Sequence, residues 1–158
     1  MRAPTPSQTV GPFFGFALPF ENDANAIEGE SRDAIRVEGR VLDGAGEPVP
    51  DALVEACQGD QFARCRTDDE GAFHLTLRMP VVVDGAPCFE ITVFARGLLR
   101  HLSTRMYFSD QEKANHADRV LRLVDESRRH TLIARRDGEV AHFDIRLQGQ
   151  GETVFFAL

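Results

Sequence analysis

The sequence predicts an all-β fold, an antiparallel β-sandwich, and three observations carry that prediction. Apolar and polar residues alternate at period two over half a dozen or more short stretches. Turn-forming Gly, Pro, Asp and Asn residues separate those stretches. The two segments that break the alternation are too short to supply the helices of an α/β fold. At 158 residues with 42% hydrophobic content, the chain suits one domain, 1–158, around a single core.

The elements follow in order. The stretch PTPSQTVGPFF, Pro4 to Phe14, holds three prolines and a glycine and makes a poor helix and an awkward strand. Yet Phe13, Phe14, Phe16 and Phe20 come in quick succession, an aromatic content foreign to disordered tails. Residues 1–20 therefore read as an extended arm, with Phe13 and Phe14 anchoring it in the sandwich or in a subunit interface. Glu21–Asp33 is polar and turn-rich, a surface connection. Ile35 and Val37 alternate with Arg36 and Glu38, the chain turns at Asp43-Gly44 and Gly46, and the alternation resumes at Ala52, Val54 and Ala56. That reads as two strands joined by a Gly/Pro-rich turn. Phe73, Leu75 and Leu77 face one way after Gly71. Phe89, Ile91 and Val93 do the same, as do Leu102, Thr104, Met106 and Phe108, and then Phe143, Ile145 and Leu147. Ser109 or Asp110 can cap a short helix over the following residues. The segment from Asp125 to Arg136 suits a second brief helical turn leading into a strand.

Composition removes several function classes. The net charge of −7 and a pI near 5.2 argue against a general nucleic-acid or membrane-surface binder. The Arg-rich stretches 96–105 and 122–136 read as mixed-charge solvated faces. No apolar run approaches the ~18 residues of a membrane helix, and the N-terminus lacks the apolar stretch of a secretory signal. A cytoplasmic location is the expectation. Cys57, Cys65 and Cys88 are odd in number and widely spaced, as befits buried or free thiols in a reducing compartment. The five histidines, at 74, 101, 116, 130 and 142, form no H-x-H or H-x-x-x-H pair. Nucleophile-elbow, P-loop and dinucleotide-binding motifs are missing. Asp68, Asp69 and Glu70 before Gly71 lack the ligand ladder of a calcium loop and read as a hairpin turn. On its own residues the chain offers no catalytic constellation.

Several stretches resemble the intradiol ring-cleavage dioxygenases, and within them the alpha-type subunit of a two-chain enzyme. These are TPSQTVGPFF (5–14), FARGLLRHLSTRMYF (94–108), DRVLRLV (118–124), RRHTLIARR (128–136) and FDIRLQGQGETVFF (143–156), in the family's order. The resemblance implies a sandwich of the transthyretin-like or immunoglobulin-like type, with an N-terminal arm and one or two short helices. It implies an enzyme that opens protocatechuate between its hydroxyl-bearing carbons, using dioxygen, to 3-carboxy-cis,cis-muconate. It further implies a homologous beta partner that holds Fe(III) through two tyrosines and two histidines, and a larger alpha–beta assembly. This chain falls on the iron-free side. It has one tyrosine, Tyr107, and the family's H-x-H strand falls, by register from F-A-R-G, on Cys88-Phe89-Glu90.

In that family the alpha arm helps to wall the partner's substrate pocket. Carried onto this sequence, its T-x-G-P positions are Thr9, Gly11 and Pro12, and the arginine of F-A-R-G is Arg96. A guanidinium there suits a benzoate carboxylate, which it either pairs with directly or attracts through the local field. The family's tryptophan after V-E-x is Cys57 here, and the loop that follows is shorter by about 20 residues. That loop would cover a vestigial pocket on this chain. Two other readings exist. A transthyretin-like or carboxypeptidase-regulatory-like binding module explains residues 35–77 but not the arm. An independent metalloenzyme would use Cys88, Glu90 and His101.

Overall fold

The period-two pattern becomes nine strands in the computed structural model, which describes residues 6, 8–11, 13–27, 31–82 and 85–157. They are β1 (Ala34–Leu42), β2 (Leu53–Gln58), β3 (Gln61–Arg66), β4 (Ala72–Arg78), β5 (Cys88–Phe94), β6 (Leu102–Phe108), β7 (Ile133–Asp137), β8 (Val140–His142) and β9 (Ile145–Arg146). Helical pieces are short: α1 (Phe14–Ala17), α2 (Glu112–Ala117), α3 (Arg119–Leu123) and a 3-10 helix over Glu126–Leu132. None is long and apolar enough to cross a membrane among the described residues.

The strands run in the order β3-β2-β5-β6-β7-β8-β1-β4, with β9 beside β1. This nearly closed sheet places the alternating residues as expected. Phe73, Leu75 and Leu77 meet Phe89, Ile91, Val93, Met106, Phe108, Phe143 and Ile145 in one buried cluster. A smaller cluster of Ala86, Tyr107, Leu121, Val124 and Leu132 lies under the helical segment.

Three expectations are corrected. The two strands before and after the Gly/Pro turn do not pair. β1 lies between β4 and β8, whereas β2 lies between β3 and β5. The turn folds back only locally, with Val49 N donating to Val41 O at 2.9 Å and Leu42 bridging Pro48, before Pro50 and Asp51 lead the chain on to β2. Second, the sandwich is not wholly antiparallel, since β1–β8, β1–β9 and β6–β7 are parallel. A parallel neighbour needs a long crossover, and the helical segment between β6 and β7 supplies one. Third, neither Ser109 nor Asp110 caps a helix. Ser109 Oγ accepts from Arg136 N at 3.0 Å, and the Asp110 carboxylate pairs with the Arg136 guanidinium at 3.1 Å. The capping carboxylate belongs to Asp118, whose Oδ1 accepts from Leu121 N at 2.8 Å.

The Glu21–Asp33 stretch also does more than connect. β3 and β4 are the two ends of the strand order, and they would leave a seam of unpaired main chain. Asp23–Ala26 fills it: Arg64 N on β3 donates to Asp23 O at 2.7 Å, while Thr76 on β4 exchanges bonds of 2.7 and 2.8 Å with Ala24 and Ala26. Farther along, the buried Gln61 side chain spans the gap. Its Oε1 accepts from Arg78 N at 2.6 Å and its Nε2 donates to Arg78 O at 3.2 Å, the two bonds a neighbouring strand would make. Gln61→Leu keeps the volume and removes both bonds. It is expected to cost about 1–3 kcal/mol, read as a lower midpoint in chemical denaturation.

Candidate functional site

From the seam the arm climbs over the outer surface of β3. Arg64 donates to Leu18 O at 2.9 Å while holding Glu55 in a half-buried ion pair of 2.6 Å. The Arg66 guanidinium lies 5.1 Å from the centre of the Phe16 ring. Of the two expected anchors, Phe14 is 8% exposed and anchors in the sandwich, whereas Phe13 is 76% exposed on this chain, which leaves it the interface alternative. One turn of α1 separates their directions, so a single face of the arm reaches the sandwich. Phe16 and Phe20 join Phe13 on the outer face, each 73% exposed.

The arm then meets the turn after β5. Gly97 N donates to Thr9 Oγ1 at 2.8 Å. Gly97 has a φ of +88°, a left-handed conformation that favours glycine. Arg96 precedes it, 59% exposed at its side chain, with its Nη2 2.8 Å from Asp51 Oδ2. Gly11 is exposed, and its carbonyl accepts from Phe14 N at 3.3 Å. Pro12 lies outside the described residues. The structure thus brings Thr9 and Arg96, far apart in sequence, onto one open ledge.

The positions corresponding to the family's iron site look different. Cys88 sits opposite Tyr107 on β6, and Glu90 lies between Cys57 and Arg105 on its neighbouring strands. Cys57, Cys88, Glu90 and Arg105 line a concavity of about 340 Å³, so a depression persists despite the shortened loop. Its chemistry does not suit a ferric ion. Burial pushes the Cys88 thiol up to about 11, which keeps it protonated. Tyr107 is fully buried, donates its hydroxyl to Asp118 Oδ1 at 3.0 Å, and is pushed well above the usual phenol range, chiefly by burial. Glu90 is paired with Arg105 at 3.5 Å. A half-buried thiol, a phenol bonded to Asp118 and a carboxylate facing an arginine differ from the two tyrosines and two histidines that the resemblance implies for Fe(III). The metalloenzyme reading fares no better, because His101 packs on Phe94 at the opposite end of β5 from Cys88. Among the described residues no three His, Cys, Asp or Glu are grouped to hold a metal.

Comparison with known proteins places this geometry. No family model matches the chain. Over 190 aligned positions it is 37% identical to the protocatechuate 3,4-dioxygenase alpha chain of Burkholderia cepacia, covering 96% of both chains. The chain belongs to the protocatechuate 3,4-dioxygenase alpha-chain family. A second alpha chain, from Pseudomonas putida, is also 37% identical, over 96% of this chain and 95% of that one. Both alignments are longer than the 158 residues present here, so these alpha chains carry segments that this one lacks. Among solved structures, the dioxygenase domain of a carbohydrate-binding fusion from Streptomyces sp. SirexAA-E superimposes with a TM-score of 0.66. It is 22% identical, and the match covers 93% of this chain and 99% of that one. Hydroxyquinol 1,2-dioxygenase from Pseudomonas putida DLL-E4 gives 0.61 at 19% identity, over 90% of this chain and 65% of that one. These two share the fold. The binding-module reading accounts for residues 35–77 alone, whereas the alpha-chain match spans nearly the whole sequence.

Within this alpha chain, a concavity of about 730 Å³ lies away from the ledge, on the outward faces of β1, β4 and β8. Strand register sets His74 and His142 on either side of Glu38 there, a row hidden by their separation in sequence. Glu38 is already engaged by Arg36 at 2.5 Å. Sequence reading also passed over Asp51 and Asp118. Pro50-Asp51 reads in the sequence only as a turn, and the positive φ at Asp51 is visible in the structure alone. Asp118 carried only a helix-capping signal, and its bonds to Tyr107 and Ala86 depend on tertiary placement.

Asp118 gives a pH-dependent prediction. Burial alone would raise its carboxyl, but bonds from Leu121 N, Ala86 N and the Tyr107 hydroxyl outweigh that and hold it below the usual range. A carboxylate lowered in the folded state contributes stability that is present above its unfolded value and lost as pH falls through the folded one. Asp118→Asn is therefore expected to lose about 1–3 kcal/mol at neutral pH. The gap to wild type should shrink in acid, as followed by thermal unfolding at several pH values.

Proposed function

We propose that this chain is the iron-free subunit of a ferric protocatechuate 3,4-dioxygenase, and that its arm and Arg96 complete the substrate pocket of a homologous iron-bearing beta subunit. The carrying observation is the Thr9–Gly97 bond of 2.8 Å, which joins the arm to the turn that bears Arg96. Neither part forms an enclosed site alone. An open ledge with a solvent-facing guanidinium is what half of a shared pocket requires before its other half docks.

Ring opening, with dioxygen inserted between the hydroxyl-bearing carbons, is the chemistry the partner's Fe(III) supplies. The residues of this chain bind and orient. Arg96 offers a permanent positive charge to the carboxylate of protocatechuate, which lies on the ring away from the hydroxyls. Thr9 and Gly11, with Pro12 assigned from the resemblance alone, are the arm residues that would face the aromatic ring. The exposed rings of Phe13, Phe16 and Phe20 supply the apolar surface by which the arm would seat on beta. Residues 1–158 act as one domain, with 1–20 as the part shared with the partner. Three free thiols suit a reducing cytoplasm.

Purified alone, the chain is expected to bind no ferric iron and to consume no oxygen with protocatechuate. Co-expressed with its iron-bearing partner, it should yield a coloured, active complex, as measured by iron content and oxygen uptake. Full activity from the partner alone, with no co-purification of this chain, would contradict the proposal. In the complex, Arg96→Ala is expected to raise KM for protocatechuate on the order of 10-fold, with a smaller change in kcat.

A further inference from the structure

Asp51 is one of two described non-glycine residues with a positive φ, at 62°. That conformation disfavours an L-residue with a side chain and persists only where the surroundings enforce it. Here the enforcing group is Thr67, which is almost fully buried. Its N–H donates to Ala52 O at 2.8 Å, and its hydroxyl reaches Val49 O at 2.8 Å and Ala52 O at 3.3 Å. Both carbonyls that flank the Pro50-Asp51 corner are thus tied to one threonine at the end of β3. Ala52, next in the chain, is fully buried, so the corner cannot shift outward.

The strained corner directs one side chain. The Asp51 carboxylate is mostly buried, at 20% exposure, and it meets Arg96 Nη2 at 2.8 Å. The head group of Arg96 would otherwise have the rotamer freedom of a long, solvent-facing chain. One carboxylate on one terminal nitrogen fixes its direction and leaves its remaining donors for another acceptor. The same turn is held from the other side by Thr9 on Gly97. A corner with no binding role would gain stability from Gly or Asn at position 51. Keeping an aspartate there makes sense if its carboxylate is used.

We propose that Asp51 is a positioning residue, held in its left-handed corner by Thr67, that orients Arg96 to receive the carboxylate of the substrate. The inference rests on the pocket-completing role given to Arg96 above. It makes the arginine preset within this chain before a partner docks, rather than organised by the docking itself.

The test uses the complex with the iron-bearing partner and two variants, Asp51→Asn and Asp51→Gly, both of which accept a positive φ. Each is expected to raise KM for protocatechuate roughly 2- to 5-fold, with kcat little changed. KM for catechol, which lacks the carboxylate, should stay as in wild type. Asp51→Gly should do this with an unchanged or higher melting temperature, since it relieves the backbone strain. Asp51→Asn combined with Arg96→Ala should be no worse than Arg96→Ala alone. An unchanged or lower KM for protocatechuate in both variants would overturn the proposal, as would an equal effect on catechol. If the wild-type complex lacks ring-cleaving activity, the functional reading itself fails. An active wild type with unaffected variants removes the role of Asp51 alone.

Discussion

A sheet that almost closes must satisfy the main chain at its two ends, and the rest of this structure depends on how that seam is filled. Strands β3 and β4 end the order, and Asp23–Ala26 lies between them with bonds to Arg64 and Thr76. Gln61 adds two bonds to Arg78 with a side chain that imitates a strand. The cost of leaving such groups unpaired is high enough to fix the local chain path. Because the seam-filling segment is continuous with the arm, the arm starts from a rigid root on a defined edge. From there its course over Arg64 and Arg66 leads to Gly97 and Arg96. A structural demand of the sheet thereby determines where Thr9 is delivered.

The charges follow the same division. In the depression that corresponds to the family's metal site, burial raises the Cys88 thiol, the Tyr107 hydroxyl is bonded to Asp118, and Glu90 faces Arg105 at 3.5 Å. On the ledge, Arg96 keeps most of its donors in solvent. Spare cationic capacity therefore sits where the arm arrives. That distribution of charge is what the proposed role, recognition in a pocket shared with a partner, would use.

Most of the sheet was legible because inward residues repeat at period two, and the stretches around Phe73, Phe89 and Phe143 are buried as their alternation predicts. The partners of β1 and β2 were not legible. A Gly/Pro-rich connection looks the same in sequence whether it closes a hairpin or crosses the core. The parallel pairs were hidden for a similar reason, since strand direction depends on how far the helical crossover carries the chain. Thr9 and Arg96, which the structure brings together, were singled out by a motif resemblance and by no pattern of their own. Asp51 escaped because its importance lies in one backbone angle and one ion pair, neither of which leaves a periodic trace. Phe13 and Phe14 show the finest limit: adjacent rings were both read as anchors, and only the turn of α1 decides that one is buried and the other exposed.

The central claim is that the ledge of Thr9, Gly11 and Arg96 forms part of a pocket whose iron belongs to another chain. A structure of the co-expressed complex with protocatechuate bound addresses it most directly. The account predicts the substrate at the partner's iron, with the arm against the ring, and the Arg96 guanidinium in direct or single-water contact with the carboxylate. A substrate enclosed by the partner alone, with the arm and Arg96 facing solvent elsewhere on the assembly, would contradict it.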